Sequence, residues 1–130
     1  MVIDTSAIVA ILTLEPEAEA IAAAIERDGV RLLSAANLLE AAIVIGARHG
    51  DAGGQHLDLL LYRSGIEIVP VTREHAELGG RAWLSFGKGR HPAGLNFGDC
   101  FAYALSLSAG EPLLCKGEDF CRTDATLVPY

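Results

Sequence analysis

Three acidic residues stand among apolar neighbours, where a charged side chain is costly. Asp4 follows the apolar run Met1–Ile3. Glu40 interrupts the apolar stretch Leu38–Ile45, and Asp99 opens another apolar segment. An ionised carboxylate taken out of water is strongly destabilising unless it binds a cation or takes up a proton. No Lys or Arg lies within i, i+4 reach of Glu40, so no helical salt bridge explains that acid.

Carboxylates of this kind are suited to holding a divalent metal ion. Three negative charges brought together repel one another, and a cation among them removes the repulsion. Oxygen ligands suit Mg²⁺ or Mn²⁺, whereas zinc prefers His and Cys, and the three cysteines here form no C-x-x-C pair. Such a metal activates water for attack on a phosphodiester and stabilises charge on the leaving oxygen. The acids therefore predict phosphate chemistry that needs no protein nucleophile.

Each acid also has a structural explanation that the sequence leaves open. Asp4 could cap the helix that follows it, and Glu40 could have a tertiary partner. Asp99 could simply complement the dipole of a helix N-terminus. The metal hypothesis becomes stronger only if the three side chains lie together in the fold.

The elements that would position these acids alternate between strands and helices. Predicted strands are Met1–Asp4, Val30–Leu33, Ile66–Val71 and Pro112–Cys115. Predicted helices are Ser6–Leu14, Pro16–Asp28, Ala35–Arg48, Gln55–Arg63, Glu74–Phe86 and Phe97–Ser108, the last two with Thr72 and Asn96 as caps. This alternation predicts an α/β fold with helices on both faces of a mostly parallel sheet of four to five strands, in one domain of residues 1–130. Asp4 would lie at a strand's carboxyl end, where such sheets bind ligands.

The charge of the chain is acidic overall but basic in one window. Ten Lys and Arg against 17 Asp and Glu give −7, which argues against a polyanion partner. From Leu78 to Gly98, however, there is no acid, while Arg81, Lys88 and Arg90 are present. The window could contact phosphates, and an ordinary solvated loop explains it equally well.

The termini and apolar stretches give no sign of export or of a membrane. Met1-Val2-Ile3-Asp4 carries no basic leader, and Glu40 interrupts the longest apolar candidate, Ala35–Ala47. The cysteines are odd in number and show no disulfide framework. We expect a cytoplasmic chain with reduced thiols and no membrane segment.

Several motifs, taken in order, resemble one known family. Val2–Ala7 reads VIDTSA, Glu40 follows in mid-helix, and Asn96–Cys100 reads NFGDC. The segments Gly87–His91 (GKGRH) and Gly117–Phe120 (GEDF) extend the likeness over essentially the whole chain. The chain resembles the PIN-domain ribonuclease toxins of the VapC family.

The resemblance implies a three-layer α/β/α PIN-like domain and the toxin of a type II toxin–antitoxin (VapBC) system. Its expected activity is that of a Mg²⁺-dependent endoribonuclease, a hydrolase, with Mn²⁺ as a substitute metal. Its expected partners are RNA, a cognate VapB antitoxin that neutralises it, and a second copy of the chain, in a homodimer or a toxin–antitoxin hetero-oligomer.

The same resemblance assigns roles to particular residues. Asp4, Glu40 and Asp99 correspond to the first three acids of the PIN site, with the metal on Asp4 and Asp99. Such toxins commonly have an acid or Asn three residues before the closing Phe, where this chain has Gly117. Asp119 is predicted to be the fourth catalytic carboxylate, either supporting the first metal's ligands or holding a second metal, with its neighbour Glu118 as the alternative. A site in which neither acid binds metal directly stays open.

Other side chains have supporting roles in this prediction. Ser6 and Asn96 could hydrogen-bond the carboxylates, or act only as helix caps. Trp83 and Tyr103 could stack on bases, or belong to the core. The candidates for RNA phosphate contacts are Lys88, Arg90 and Lys116, together with Arg81.

Two other classes of function compete with the nuclease. A phosphotransfer enzyme of this fold class would use Asp4 as a covalent nucleophile. Haloacid-dehalogenase-like enzymes need Asp-x-Asp, however, and this chain has Asp4-Thr5-Ser6. A binding module without catalysis would use the acids to hold a structural cation.

Overall fold

The computed structural model describes residues 1–130, along which strands and helices alternate. The strands are β1 (Val2–Ile3), β2 (Leu32–Ser34), β3 (Glu67–Val69) and β4 (Leu113–Leu114). The helices are α1 (Thr5–Leu12), α2 (Ala18–Arg27), α3 (Ala35–Arg63), α4 (Arg73–Phe86) and α5 (Phe97–Ala109). A 3₁₀ turn at Phe120–Arg122 follows β4. The four strands form one parallel sheet in the order β3-β2-β1-β4, so the α/β prediction is confirmed.

Two apolar cores lie on opposite faces of this sheet. Ile3 and Leu114 pack with buried side chains of α1, α2 and α3. Their strand neighbours, Val2 and Leu113, pack with buried side chains of α4 and α5. Successive side chains of a strand point to opposite faces, which explains why adjacent residues belong to different cores. The result is the predicted three-layer α/β/α arrangement.

The strand order reverses between β1 and β4, and this creates a crevice at the carboxyl ends of the two strands. Asp4 lies just beyond β1, and its backbone N donates to the carbonyl of Leu114 at 2.9 Å. Just beyond β4, the backbone N of Lys116 donates to Ser6 Oγ at 2.9 Å. Open α/β sheets bind ligands at such a reversal. The fold therefore places Asp4 at the generic ligand site.

The boundaries of several elements differ from the prediction. The two predicted helices Ala35–Arg48 and Gln55–Arg63 are both present as parts of α3, which is interrupted by a kink at Gly50, where φ is +57°. A single left-handed glycine interrupts the helix for only one residue, so helical structure resumes earlier than predicted. The strands are shorter than predicted; β2, for example, begins at Leu32 instead of Val30. None of the helices is both long and apolar enough to cross a membrane.

Candidate active site

Asp4 uses one carboxylate oxygen as a helix cap and leaves the other without a partner. Oδ2 accepts from the backbone N and the Oγ of Ser6, at 2.9 and 2.6 Å. Oδ1 is buried and accepts no hydrogen bond, in a residue that is 3% exposed. Burial raises the pKa of Asp4, the bonds from Ser6 lower it, and the charge of Glu40 raises it again. A buried carboxylate oxygen with no donor is a natural ligand for a cation.

Asp99 lies in the first turn of α5 and forms a capping box with Asn96. The backbone N of Asp99 donates to Asn96 Oδ1 at 3.0 Å, and the backbone N of Asn96 donates to Asp99 Oδ2 at 2.7 Å. Burial raises the pKa of Asp99 to about 7, although the bond from Asn96 opposes the increase. The charges of Asp4, Asp119 and Glu40 raise this pKa further. The other three predicted acids therefore lie within electrostatic reach of Asp99.

Glu40 reaches the same region from α3, and its partners are neutral groups. Its Oε2 accepts from Thr5 Oγ1 at 2.6 Å and, more weakly, from Asn37 Nδ2 at 3.4 Å. Its carboxylate also lies against Gly98, because a Cβ added there would be 2.5 Å from Glu40 Cδ. The tertiary partner that the sequence left open is thus the hydroxyl of Thr5, while Asn37 is a local partner three residues earlier on α3.

The helix that carries Glu40 is partly exposed to solvent, although its sequence is apolar on nearly every side. Leu39 and Ile43 are each 62% exposed, and Glu40 itself is only partly buried. One apolar face of α3, which carries Leu39 and Ile43, points away from both cores. The carboxylate of Glu40 is consequently accessible from solvent.

The acidic cluster contains no protein cation to offset its charge. The ion pairs of the molecule involve other acids, and none reaches Asp4, Glu40 or Asp99. No three His, Cys, Asp or Glu side chains already converge as a finished metal cage. The residues nevertheless fit a divalent cation, because their oxygens are the ligands that Mg²⁺ prefers and Asp4 Oδ1 has no partner. Asp4 and Asp99 are the residues that would hold it.

The closing motif explains why an acid is missing at its start. Gly117 has φ +99°, a backbone conformation that side chains with a Cβ rarely adopt. Asp119, two residues on, is exposed, and its charge raises the pKa of Asp99. Glu118 is also exposed. Asp119 as the fourth acid, with Glu118 as the alternative, stays a prediction.

The predicted phosphate-binding residues divide into two groups. Lys88 and Arg90 are exposed on a turn, which is closed by bonds from Lys88 N to the carbonyl of Leu95 and from Leu95 N to the carbonyl of Phe86. The Arg90 guanidinium lies 4.5 Å from the centre of the Trp83 ring. These two cations, with the exposed Arg81, have no carboxylate partner.

Lys116 is placed differently from this first group. Its ammonium binds Glu15 and, at 3.2 Å, Glu17, and both contacts raise its pKa. These ion pairs join the end of β4 to the segment after α1, and the sequence analysis did not predict them. Lys116 is therefore not a free cation, and an RNA phosphate would compete with two carboxylates for it.

The two aromatic residues considered for base stacking, Tyr103 and Trp83, lie in different environments. Tyr103 is buried, and its hydroxyl donates to Asp124 at 2.5 Å, so its ring belongs to the core. Trp83 lines an apolar groove of about 350 Å³ between α4 and α5, together with Phe97 and Phe101. Phe97 is 79% exposed, and the sequence analysis did not single it out. Its position next to Gly98 in the NFGDC motif could have drawn attention to Phe97 as a residue at the edge of the acidic site.

Comparisons with known proteins show the family to which the chain belongs. The profile of the PIN-domain family matches residues 1–126. Ribonuclease VapC30 of Mycobacterium tuberculosis is 53% identical over 128 residues, which cover 98% of each chain. A Ribonuclease VapC of Mycolicibacterium smegmatis is also 53% identical, covering 98% of this chain and 99% of its own. The chain belongs to the PIN-domain family and, within it, to the VapC ribonucleases.

A solved structure shows the same fold at much lower sequence identity. Mycobacterium tuberculosis VapC20, a sarcin–ricin-loop-cleaving toxin, superposes with a TM-score of 0.78 and is 18% identical. The match covers 98% of this chain and 97% of that one. The family resemblance predicted from the motifs is confirmed, and a hydrolytic nuclease is favoured over the phosphotransfer and binding-module alternatives.

Proposed function

We propose that this chain is the toxin of a type II toxin–antitoxin pair, a Mg²⁺-dependent endoribonuclease that hydrolyses RNA phosphodiester bonds. One observation carries the proposal: acids from the end of β1, from α3 and from α5 lie together with no protein cation among them. Folding has brought these charges together at an energetic cost. Such a cost is expected where function requires the charges.

The chain's own residues would each perform a distinct part of the reaction. Ser6 holds Oδ2 of Asp4 with two hydrogen bonds, so the unpartnered Oδ1 is the oxygen left for a cation. The capping box with Asn96 holds Asp99 in the same way. A divalent cation held by Asp4 and Asp99 would supply Lewis-acid chemistry, activating water and stabilising the leaving oxygen. The two hydrogen bonds to Glu40 both use Oε2, which leaves Oε1 to accept a proton from the attacking water.

RNA would approach the acids with its phosphates on the basic turn. Lys88 and Arg90 are exposed and unpaired, so they can neutralise phosphates that the acidic cluster would otherwise repel. Arg90 also offers a guanidinium stacked on Trp83, a surface on which an unpaired base can lie. Lys116 is a weaker candidate because it already binds Glu15 and Glu17.

The proposal includes protein partners. We infer a VapB-type antitoxin that neutralises the toxin, and a homodimer or a toxin–antitoxin hetero-oligomer, acting in the cytoplasm as one domain of residues 1–130. Large apolar side chains that remain exposed support such interfaces, since extended apolar patches mark contact surfaces. They include Leu14, Leu39, Ile43, Tyr62, Leu84 and Phe97. Light scattering of the purified chain, alone and co-expressed with the product of a neighbouring antitoxin-like reading frame, tests both interfaces.

The decisive experiment measures RNA cleavage by the purified protein with and without metal. Chelation should abolish cleavage, and added Mg²⁺ or Mn²⁺ should restore it. Asp4→Asn and Asp99→Asn should each keep the fold and lose at least about 100-fold in activity, because each removes a charge that holds the cation. Asp58→Asn, an exposed carboxylate on α3, is the control and should behave as wild type. Full activity in both site variants, or in chelator, would refute the proposal.

A further inference from the structure

One buried amide contacts all three of the elements that carry the predicted acids. Asn37 is 0% exposed and lies one turn before Glu40 on α3. Its Nδ2 donates to Thr5 Oγ1 at 3.1 Å and to the carbonyl of Gly98 at 3.0 Å. Thr5 follows Asp4, and Gly98 precedes Asp99. The two residues that the amide binds are thus direct neighbours of Asp4 and Asp99, and Asn37 itself lies one helical turn from Glu40.

The hydrogen bonds define the orientation of the amide and a direction for the network. The carbonyl of Gly98 can only accept, so the group facing it must be the NH₂ of Asn37. The hydroxyl of Thr5 accepts from that NH₂ and donates to Glu40 Oε2 at 2.6 Å. Hydrogen bonds arranged in this way, from amide to hydroxyl to carboxylate, polarise and strengthen one another. Glu40 is thus held at the end of a directed chain of donors.

These hydrogen bonds around Asn37 contribute little to the stability of the fold. Asn37 Oδ1 is buried and has no hydrogen-bond partner, which is an unfavourable position for an amide oxygen. A buried polar network that is only partly satisfied stabilises less than an apolar core of the same shape. Its presence is therefore better explained by what it positions.

We propose that Asn37 is a positioning residue, whose side-chain amide sets the spacing of Asp4, Glu40 and Asp99 by joining α1, α3 and α5 at one point. The inference rests on the proposed metal-dependent cleavage at this site and adds a residue that acts through its neighbours. Without the amide, Glu40 and the first turn of α5 lose their common anchor. The acids then hold a cation less well, while the basic turn that binds RNA is unaffected.

The test compares Asn37→Leu, which removes the amide at similar volume, with the wild-type chain. A fluorescent RNA oligonucleotide that the wild-type protein cleaves supplies kcat and KM. Titration calorimetry with Mn²⁺ in the absence of RNA supplies metal affinity. We expect kcat to fall about 10- to 100-fold and the Mn²⁺ Kd to rise about 10-fold or more, with KM changed less than about threefold.

Two further variants separate positioning from a general loss of stability. Thr5→Val removes the hydroxyl that bonds Glu40 at constant shape, and should reproduce the loss of kcat and of Mn²⁺ affinity. Thr5→Ser retains the hydroxyl and should recover most of both. Ser106→Ala removes another buried hydroxyl, which donates to the carbonyl of Glu111, and should lower Tm without changing kcat or the Mn²⁺ Kd.

The outcomes distinguish this inference from the proposed function. If the wild-type chain cleaves RNA with metal but Asn37→Leu and Thr5→Val keep kcat and Mn²⁺ affinity within about twofold, Asn37 has no positioning role. If the wild-type chain cleaves no RNA with metal, the proposed function fails. The Mn²⁺ titrations of the same variants then still decide whether Asn37 organises the acids.

Discussion

The carboxylate of Glu40 fills the space next to Gly98 that any other residue's side chain would occupy. The carboxylate of Glu40 lies where a side chain at position 98 would begin, so the glycine of the NFGDC motif is required by a neighbour and not by its own backbone conformation. Gly98 is buried and precedes Asp99 directly. A change at this residue therefore acts on two of the predicted acids together.

For Gly98→Ala we predict displacement of Glu40 and a loss of roughly 10- to 100-fold in RNA cleavage. Overpacking at this point should also destabilise the fold by about 1 to 3 kcal/mol. Gly46→Ala is the control, because a Cβ at that helical glycine meets nothing within 4 Å. The control should keep its activity and gain about 0.5 to 1 kcal/mol in stability. Equal activity of the two variants would contradict the steric explanation.

Asp99 should make the metal-free protein less stable as the pH rises. Its pKa is about 7 in the folded chain and 3.8 in an ordinary aspartic acid, so between these values the folded state binds more protons than the unfolded state. The free energy of unfolding contributed by this group therefore decreases from pH 5.5 to pH 8, by an amount on the order of 2 kcal/mol.

Asp99→Asn should remove this contribution and raise Tm at pH 8 in chelator while abolishing RNA cleavage. The measurement is thermal unfolding in chelator at the two pH values. Asp51→Asn, at an exposed position on α3, should leave the pH dependence unchanged. A Tm at pH 8 that is lower in Asp99→Asn than in the wild type would show that the buried charge of Asp99 does not destabilise the fold.

At the scale of elements, α4 and α5 both begin with a capping box, but the two boxes hold different side chains. Thr72 caps α4 and Asn96 caps α5, each in a capping box that includes the third residue of the helix. In α4 that third residue is His75, and in α5 it is Asp99. The α5 cap therefore holds a predicted metal ligand, whereas the α4 cap holds a buried histidine whose Nε2 lies 2.9 Å from Ser108 Oγ of α5.

Asn96→Ala and Thr72→Ala should consequently have equal effects on stability and unequal effects on activity. Each should cost about 1 kcal/mol of unfolding free energy through the lost cap. Only Asn96→Ala should also reduce cleavage, because the bond that its side chain accepts from Asp99 N disappears. Urea unfolding and RNA cleavage measured on both variants test the distinction. A similar loss of activity in Thr72→Ala would assign the effect to helix stability.

At the scale of the whole molecule, an acidic chain must bind an acidic polymer. The net charge is −7, and the cluster of carboxylates would repel RNA at the point of cleavage. The basic turn carrying Lys88 and Arg90 lies on the chain segment that leads into α5, which begins beside Asp99. We therefore expect the local charge, and not the total, to determine where RNA binds.

The double variant Lys88→Ala/Arg90→Ala should weaken RNA affinity and reduce the salt slope of log K by about 1 to 2. The control is Arg27→Ala/Arg73→Ala, which removes the same charge from exposed positions on α2 and α4. Binding of the labelled RNA by chelated protein at several salt concentrations provides both slopes. If the two double variants have the same slope as the wild type, the basic turn is ordinary surface.

The family, the fold class and the caps of two helices were accessible from the order of the residues. The alternation of strands and helices and the caps at Thr72 and Asn96 were predicted and are present. These features depend on periodicity and on hydrogen bonds between residues three positions apart, so a short window of sequence contains them. The motif order likewise indicated the PIN family, which the comparisons confirm.

The contacts that define the site depended on tertiary structure. Thr5 and Glu40 are 35 residues apart, Asn37 and Gly98 are 61 apart, and Lys116 and Glu15 are 101 apart. No periodicity or local propensity connects such positions; they meet because the parallel strands end at one edge of the sheet and the helices pack there. The sequence determined which acids were available and which elements carry them. Only packing determined that a hydroxyl and an amide would hold Glu40, and that Lys116 would be bound by carboxylates.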